Sequence, residues 1–293
     1  MAKIGIIGGS GLGDALCGDS ANKSAPMETP FGLASDGLVA TSWSGQDVFL
    51  LNRHGQGHTQ SPSNVNYRAN IYALKAAGCS HIIASGAVGS LRERIQPKHL
   101  VVPDQVIDKT FRREGTFFDN NLAVHLEFAS PFCPVLSKHL LNCAPKVDTE
   151  VHDGGTYICM EGPAFSTRAE SEMHRSWGGD LIGMTAMPEA KLAREAEISY
   201  ALLCLPSDYD YWRVHSQSES LDKHELLKEI IGNLTEATQN AITLIKSAVS
   251  SFDEIADIPC SAHSALELAI WTDRGTITPE IKSYYGKLVE KYL

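Results

Sequence analysis

The sequence is short of positive charge and contains no long apolar run. Its 293 residues include 25 lysines and arginines against 35 aspartates and glutamates, a formal net charge of -10 at pH 7. Nucleic-acid-binding surfaces need a basic face, so this balance argues against a nucleic-acid partner. No apolar stretch is long enough for a signal peptide or a membrane helix, which predicts a cytoplasmic protein with no membrane partner.

Cysteines are few, odd in number and scattered. The seven form no CxxC pair, and most lie in apolar stretches such as TYICMEG and ALLCLPS. This usage is typical of free buried thiols and not of a disulfide framework. Internal repeats and low-complexity segments are also missing from the chain.

What the chain does contain is a series of short apolar runs that alternate with helical patterns. Runs such as KIGIIGG, DVFLLNRH, HIIASGAVGS and SYALLCLPS predict strands, whereas VNYRANIYALKAAG (residues 65–78) has helical spacing and ends at Gly78. This alternation predicts an α/β fold, a single domain with a twisted mixed β-sheet flanked by helices. No linker marks a boundary, so residues 1–293 are interpreted as one domain.

Polar residues follow several of these runs, where the strands of an open α/β sheet would end. The set comprises Ser10, Arg53 with His54, Ser85, Thr185, and Asp208 with Asp210. Ligands of such sheets bind beyond the carboxyl ends of the strands, so we expect these side chains to converge on one crevice. SGAVGSLRE at 85–93 is open to two interpretations, a helix start packed on the sheet or backbone donors to a ligand.

Two glycine-rich loops in this set have anion-binding chemistry. GGSGLG at 8–13 lacks both the dinucleotide spacing and the P-loop lysine, which leaves a tight turn or a nest of N–H groups around an anion. NRHGQGHT at 52–59 adds Arg53, His54 and His58, whose donors suit a phosphate-like oxyanion. A surface role for these three side chains is the plainer alternative.

Two further motifs are more specific, MEGPAFSTRAE at 160–170 and GMTAMPE at 183–189. Together with GGSG, RHGQGH, VNYRANIYALKAAGC, GSLRERIQP, PFCP and SDYDYW, they make the chain up to about residue 245 resemble the trimeric purine nucleoside phosphorylases. Within that family the chain is most similar to the methylthioadenosine branch. Residues 250–293 match no known motif, and we expect them to be an extension that packs on the domain.

The resemblance implies reversible phosphorolysis, in which inorganic phosphate attacks the anomeric carbon of a nucleoside and the purine leaves. No metal or organic cofactor takes part, and phosphate is the co-substrate. The implied phosphate-binding set is Ser10, Arg53, His54, His58, the backbone of Ala87, and Thr185. It includes the residues whose chemistry alone suggested an anion site.

The resemblance also implies how the nucleoside is held. Met184 would lie under the ribose, where a polarizable thioether suits the sugar, and Phe165 would pack its flat ring against the purine. Asp208 and Asp210 would face the leaving base, one as general acid and the other accepting from the exocyclic amine, because each disfavours ionisation of the other. His125 would be lent to the neighbouring site of a homotrimer.

Base preference follows from two positions in this pattern. The oxopurine branch has asparagine and glutamate where this chain has Asp208 and Ser166, and both changes favour a 6-aminopurine, hence adenine. Two glycines depart from the usual methylthioadenosine pattern: Gly86 replaces threonine, and Gly183 replaces the asparagine of NMT, as in the oxopurine and methylthioinosine branches. A 6-oxopurine or methylthioinosine phosphorylase is therefore one alternative, and a nucleoside-binding protein without catalysis is another.

The pocket for the 5′ group is the third place where the chain departs from the pattern. The resemblance places Leu221 and His224 there, at positions that hold small apolar residues in members preferring a methylthio group. Leucine is a conservative replacement, whereas histidine is not. We expect His224 to let the enzyme accept adenosine or another 5′-substituted adenosine alongside methylthioadenosine; a surface histidine on a helix is the alternative.

Overall fold

The computed structural model describes residues 2–17, 23–212 and 223–293. Their strands are β1 (Lys3–Gly8), β2 (Glu28–Thr29), β3 (Gly32–Leu33), β4 (Val39–Trp43), β5 (Gln46–Asn52), β6 (Cys79–Ser90), β7 (Leu100–Val102), β8 (Gln105–Lys109), β9 (Val151–Asp153), β10 (Thr156–Met160), β11 (Leu181–Gly183) and β12 (Ser199–Tyr209). The α-helices are α1 (Leu12–Cys17), α2 (Tyr67–Ala76), α3 (Pro134–Asn142), α4 (Arg168–Ser176), α5 (Ala186–Glu195), α6 (Lys223–Ser250) and α7 (Pro279–Tyr285). Across these three ranges, no helix is both long and apolar enough to cross a membrane.

A ten-stranded sheet forms the centre of the fold. Its main path runs β4-β5-β1-β6-β11-β10-β8, while β12 pairs with β6 and β7, and β7 also pairs with β9. Strand β1 is parallel to both β5 and β6, and β12 is parallel to β6, whereas β11 runs antiparallel to β6. The predicted mixed sheet is therefore confirmed.

Alternate residues of the central strands point into two separate hydrophobic clusters. On β6, Ile82 and Ala84 belong to one cluster and Ile83 to the other. Side chains from α2 and α5 complete the first cluster, and side chains from α3 and α6 complete the second. Because strand side chains alternate between faces, both faces of the sheet are buried under helices, as predicted.

Two local predictions have different outcomes. The helical pattern at 65–78 forms α2, which begins where the Asn66 side chain accepts a hydrogen bond of 3.1 Å from the Ala69 N–H. A helix start after Ser85 is wrong, as is the placement of Ser85 at a strand end, because β6 continues to Ser90. Its last residues pair with β12 on one side and β11 on the other, so sheet hydrogen bonding takes the backbone groups that a helix would need.

The residues after 250 pack against both hydrophobic clusters, Phe252 and Ile255 in the cluster of α3 and α6 and most of the later ones in the other. Leu266, Tyr285 and Leu288 are buried in the same cluster as α2 and α5. Ile270 forms an antiparallel bridge with Val124, which joins this segment to the loop after β8. The C-terminal segment thus contributes to the core that supports the sheet.

Candidate active site

The carboxyl ends of β1 and β5 meet β6 around one glycine turn. Gly8, the last residue of β1, lies opposite Asn52 of β5, and its carbonyl accepts a hydrogen bond of 3.1 Å from the Arg53 N–H. The Gly9 N–H donates to Ser85 Oγ at 3.4 Å. A Cβ at Gly9 would lie 2.7 Å from the Ser85 carbonyl oxygen, so this close backbone approach requires glycine.

Arg53 is fully buried and bound on two sides. Its Nε and Nη2 donate to the two carboxylate oxygens of Glu189 at 2.6 and 2.8 Å, and Nη1 donates to the Ser85 carbonyl at 2.8 Å. The Tyr200 hydroxyl donates to the same carboxylate at 2.8 Å. A bidentate, charge-assisted pair of this kind fixes the plane of the guanidinium. No acidic neighbour in the sequence pointed to Glu189, which lies 136 residues further along.

His54 and His58 stack on the loop that follows Arg53. Their ring centroids are 4.2 Å apart, with 23° between the planes. His54 Nδ1 lies 2.8 Å from the Gln60 carbonyl, so this nitrogen carries a proton and donates. Burial, reinforced by the charge of Arg53, lowers the pKa of His54 to about 4. At neutral pH the His54 ring is therefore uncharged, and its Nε2 can accept a hydrogen bond.

Thr185 follows strand β11 and lies beside the small residues of β6. Ile182 of β11 lies opposite Gly89, and the antiparallel direction brings the following residues back towards Gly86. A Cβ at Gly86 would lie 3.4 Å from Thr185 Oγ1, so a methyl group at position 86 would contact the Thr185 hydroxyl without a clash. The predicted phosphate set contains buried residues (Arg53, His54, Thr185), half-buried residues (Ser10, Ala87) and one exposed residue (His58).

Strand β12 places the two aspartates further along β6. Asp208 lies opposite Gly89, after a register shift that follows Pro206. The Ser207 hydroxyl donates to Asp208 Oδ1 at 2.8 Å. Asp210 is buried, and its Oδ2 has no hydrogen-bond partner among the described residues. The end of this strand therefore presents one carboxyl group with an unused buried acceptor.

The loop after β10 holds the residues predicted to face the purine and ribose. Phe165 is 72% exposed, while Ser166 is buried and donates from Oγ to Met160 Sδ at 3.9 Å. A Cβ at Gly162 would lie 2.5 Å from Met184 Sδ, so the loop packs directly on the Met184 thioether. The predicted base-binding loop and the predicted ribose-binding methionine are thus neighbours.

Arg113, which the motifs did not single out, ties this loop to the end of β11. Its side chain is buried and donates to the carbonyl oxygens of Met184 at 2.5 Å, Met187 at 2.6 Å and Glu161 at 2.7 Å. It also forms an ion pair of 3.3 Å with the Glu161 carboxylate. In the sequence Arg113 lies in FRRE, a charged stretch typical of a surface, so only the folded chain identifies it.

Comparison with known proteins gives the family. The model of the phosphorylase superfamily matches residues 3–250. The chain belongs to this superfamily. This chain is 46% identical over 291 residues to the S-methyl-5′-thioadenosine phosphorylase of Geobacter sulfurreducens, and the match covers 99% of each protein.

Solved structures agree with this assignment. A methylthioadenosine phosphorylase from an antarctic soil metagenomic library shares 44% identity with a TM-score of 0.86, over 98% of each chain. The methylthioadenosine phosphorylase of Schistosoma mansoni in complex with adenine shares 32% identity with a TM-score of 0.82, over 92% of this chain and 99% of that one. The resemblance and the fold class predicted from the motifs are therefore confirmed.

His125 of the phosphorylase is exposed and held by the C-terminal segment. Its N–H donates to the Ala269 carbonyl at 2.9 Å, and the Trp271 N–H donates to the Ala123 carbonyl at 2.9 Å. The His125 and Trp271 rings lie 4.7 Å apart between centroids, and Trp271 is itself 71% exposed. The His125 imidazole therefore lies on the surface of the chain, beside the Trp271 ring.

The remaining residues are those that the resemblance assigns to the 5′ pocket. His224 is exposed in the first turn of α6, and Leu221 lies outside the described residues. The placement of the 5′ group in the phosphorylase stays a prediction.

Metal-ligand chemistry also occurs outside the predicted site. The ligand atoms of His99, Glu150 and His152, beside β7 and β9, lie within 4.8 Å of one another. His99 Nδ1 and His152 Nε2 are 2.9 Å apart, so the two imidazoles hydrogen-bond to each other. None of the three residues belongs to the set that the phosphorylase motifs single out.

Proposed function

We propose that this chain catalyses the reversible phosphorolysis of S-methyl-5′-thioadenosine, giving adenine and 5-methylthioribose 1-phosphate. The observation that carries the proposal is the order of groups along β6. Thr185 faces Gly86, and Asp208 pairs with Gly89 three residues further on. Three residues of strand span about 10 Å, room for one ribose between a phosphate and a purine. The methylthioadenosine phosphorylases to which the chain is similar support the choice of substrate.

Phosphate is assigned to the end of the crevice near Gly86. The donors proposed for it are those of Ser10, Arg53, His58, the Ala87 backbone and Thr185, and His54 would contribute its backbone N–H, because its neutral ring donates only from Nδ1, to the Gln60 carbonyl. Arg53 has five N–H groups, and the bonds to Glu189 and Ser85 use three of them. Donors fixed in advance stabilise the attacking dianion without reorganisation during the reaction.

The purine is assigned to the end of β12. As the glycosidic bond breaks, negative charge grows on the base, so a proton delivered to purine N7 lowers the barrier. We assign the proton to Asp208 and the acceptor for the exocyclic amine to Asp210, whose buried Oδ2 has no partner among the described residues. Phe165 and Ser166 would line the base, and Met184, with Gly86 and Gly183, the ribose.

The nucleoside and phosphate are proposed as the chain's small-molecule partners, with no further cofactor. The 5′ group would meet His224, Leu221 and His125 of a neighbouring copy in a homotrimer. This arrangement is supported by the exposure of His125 and by its fixed backbone.

The Asp208→Asn variant tests the mechanism. Because asparagine cannot donate a carboxyl proton, kcat for methylthioadenosine should fall about 10²- to 10⁴-fold with little change in stability. Free adenine is measured with and without phosphate, beside thermal unfolding. Asp253→Asn, at an exposed aspartate, is the matched control and should keep wild-type turnover.

Near-normal turnover in Asp208→Asn would show that another group is the acid. The same assay on methylthioadenosine, adenosine and methylthioinosine separates the alternative functions. Faster release of a 6-oxopurine would identify the oxopurine alternative, and binding without phosphate-dependent release would identify a nucleoside-binding protein.

A further inference from the structure

Gly183 lies against the phenol ring of Tyr157. Tyr157 is on β10, which pairs in parallel with β11, the strand that ends at Gly183. A Cβ at Gly183 would lie 2.1 Å from the Tyr157 Oη and 2.7 Å from its Cζ. Both distances are far below van der Waals contact, so position 183 accepts no side chain while the Tyr157 ring stays in place.

The Tyr157 hydroxyl also supports the turn that follows Gly183. Tyr157 is buried, and its hydroxyl accepts a hydrogen bond of 3.4 Å from the Thr185 N–H. Burial raises the pKa of Tyr157 well above its ordinary value, so the phenol stays neutral. Thr185 is the N-cap of α5, where a backbone N–H has no partner within the helix. Tyr157 therefore satisfies this N–H and fixes the main chain that presents Met184 and Thr185.

We propose that Tyr157 is a positioning residue for phosphate binding, and that Gly183 is the glycine that makes room for it. The ring holds the 183–185 turn against β6, with Thr185 Oγ1 towards Gly86. The inference rests on the proposed function, because this turn carries the phosphate and ribose contacts assigned above. The Tyr157 ring fills the space beside position 183. This packing explains the glycine in place of the asparagine of NMT without a 6-oxopurine substrate.

Thermal unfolding of a double-mutant cycle tests the packing. Gly183→Ala should lower Tm by about 5 °C or more in the wild-type background, because the new methyl group overlaps the phenol. In the Tyr157→Leu background, where the ring is gone, the same change should cost much less. Gly115→Ala is the matched control, since a Cβ there meets no atom within 4 Å. Equal losses in both backgrounds, or a Gly183→Ala variant as stable as the control, would overturn the pairing.

Kinetics of Tyr157→Phe tests the positioning. This variant keeps the ring and removes the acceptor for the Thr185 N–H, so KM for phosphate should rise about 2- to 10-fold while kcat stays near wild type. Tyr284→Phe, at a surface tyrosine, should change neither parameter. An unchanged KM for phosphate in Tyr157→Phe would overturn the positioning role. If the wild type releases no base at all, the proposed function fails, and the unfolding cycle still decides whether Tyr157 and Gly183 are coupled.

Discussion

The phosphate half and the purine half of the site differ in how far the chain satisfies its own polar groups. In the phosphate half, Arg53 is buried and bound to both oxygens of Glu189 and to the Ser85 carbonyl. In the purine half, Asp210 keeps a buried oxygen with no partner among the described residues, and Phe165 is mostly exposed. Folding alone thus fixes the orientation of the Arg53 guanidinium, whereas the second half has a buried carboxylate oxygen and an exposed ring that a bound base would contact.

The difference matches what each half has to do. Phosphate has one shape, so donors can be fixed around it at no further cost during the reaction. The base half has to respond to a charge that appears only as the bond breaks, and a carboxyl group there must be able to give up its proton. Changes to the phosphate half should therefore affect folding as well as turnover, and changes to the purine half should affect turnover alone.

The largest effect is expected from Glu189→Gln. Removing the carboxylate leaves the Arg53 charge buried and unpaired, which should cost about 3–5 kcal/mol of unfolding free energy. Urea unfolding measures it. Glu127→Gln is the matched control, because Glu127 also pairs with an arginine, Arg194, but is 68% exposed. Equal stability of the two variants would show that the phosphate half does not depend on this ion pair.

Acid sensitivity is the second way to test the phosphate half. His54 has a pKa of about 4 in the folded chain against an ordinary value of 6.5, so the unfolded chain binds more protons between these values. Stability should therefore be fully present above pH 6.5 and fall as the pH drops from 6.5 towards 4. Urea unfolding at several pH values in this window measures the decline, and His54→Asn should make it shallower. The same slope in both proteins would contradict the assigned protonation of His54.

The smallest effect on folding is expected in the purine half. Phe165→Ala should leave unfolding free energy within about 0.5 kcal/mol of wild type, because the ring is exposed. Loss of its contact with the base should lower kcat/KM for the nucleoside about tenfold. Phe117→Ala, at a fully buried phenylalanine, should instead cost about 3–5 kcal/mol of stability. A large stability loss in Phe165→Ala would remove the contrast between the two halves.

Strand ends and glycine turns could be predicted from the sequence because each depends on a few consecutive residues. Apolar runs bounded by glycine and polar residues placed Arg53, Thr185 and Asp208 at strand ends, where the structure has them. The partners of these residues could not be predicted in the same way. Glu189 lies on α5, and it contacts Arg53 because the strand order brings β11 and β5 to neighbouring parts of the sheet. No local sequence pattern specifies that strand order.

The same limit applies to Gly183. In the sequence it was a departure from a motif, which suggested a different substrate. In the structure, the space beside it is filled by Tyr157 from the neighbouring strand. Strand register decides which side chains meet, so a pair of this kind becomes visible only once the sheet is known.

Hydrogen bonds between the His125 loop and the C-terminal segment constrain the order in which parts of the protein can fold during synthesis. The Ala123 N–H donates to Thr272 Oγ1, 149 residues later, and the Trp271 N–H donates back to the Ala123 carbonyl. During synthesis the sheet strands up to β12 emerge long before residue 272, and contacts so distant in sequence form late. The loop that carries His125 therefore gains these contacts only after residue 272 has been synthesised.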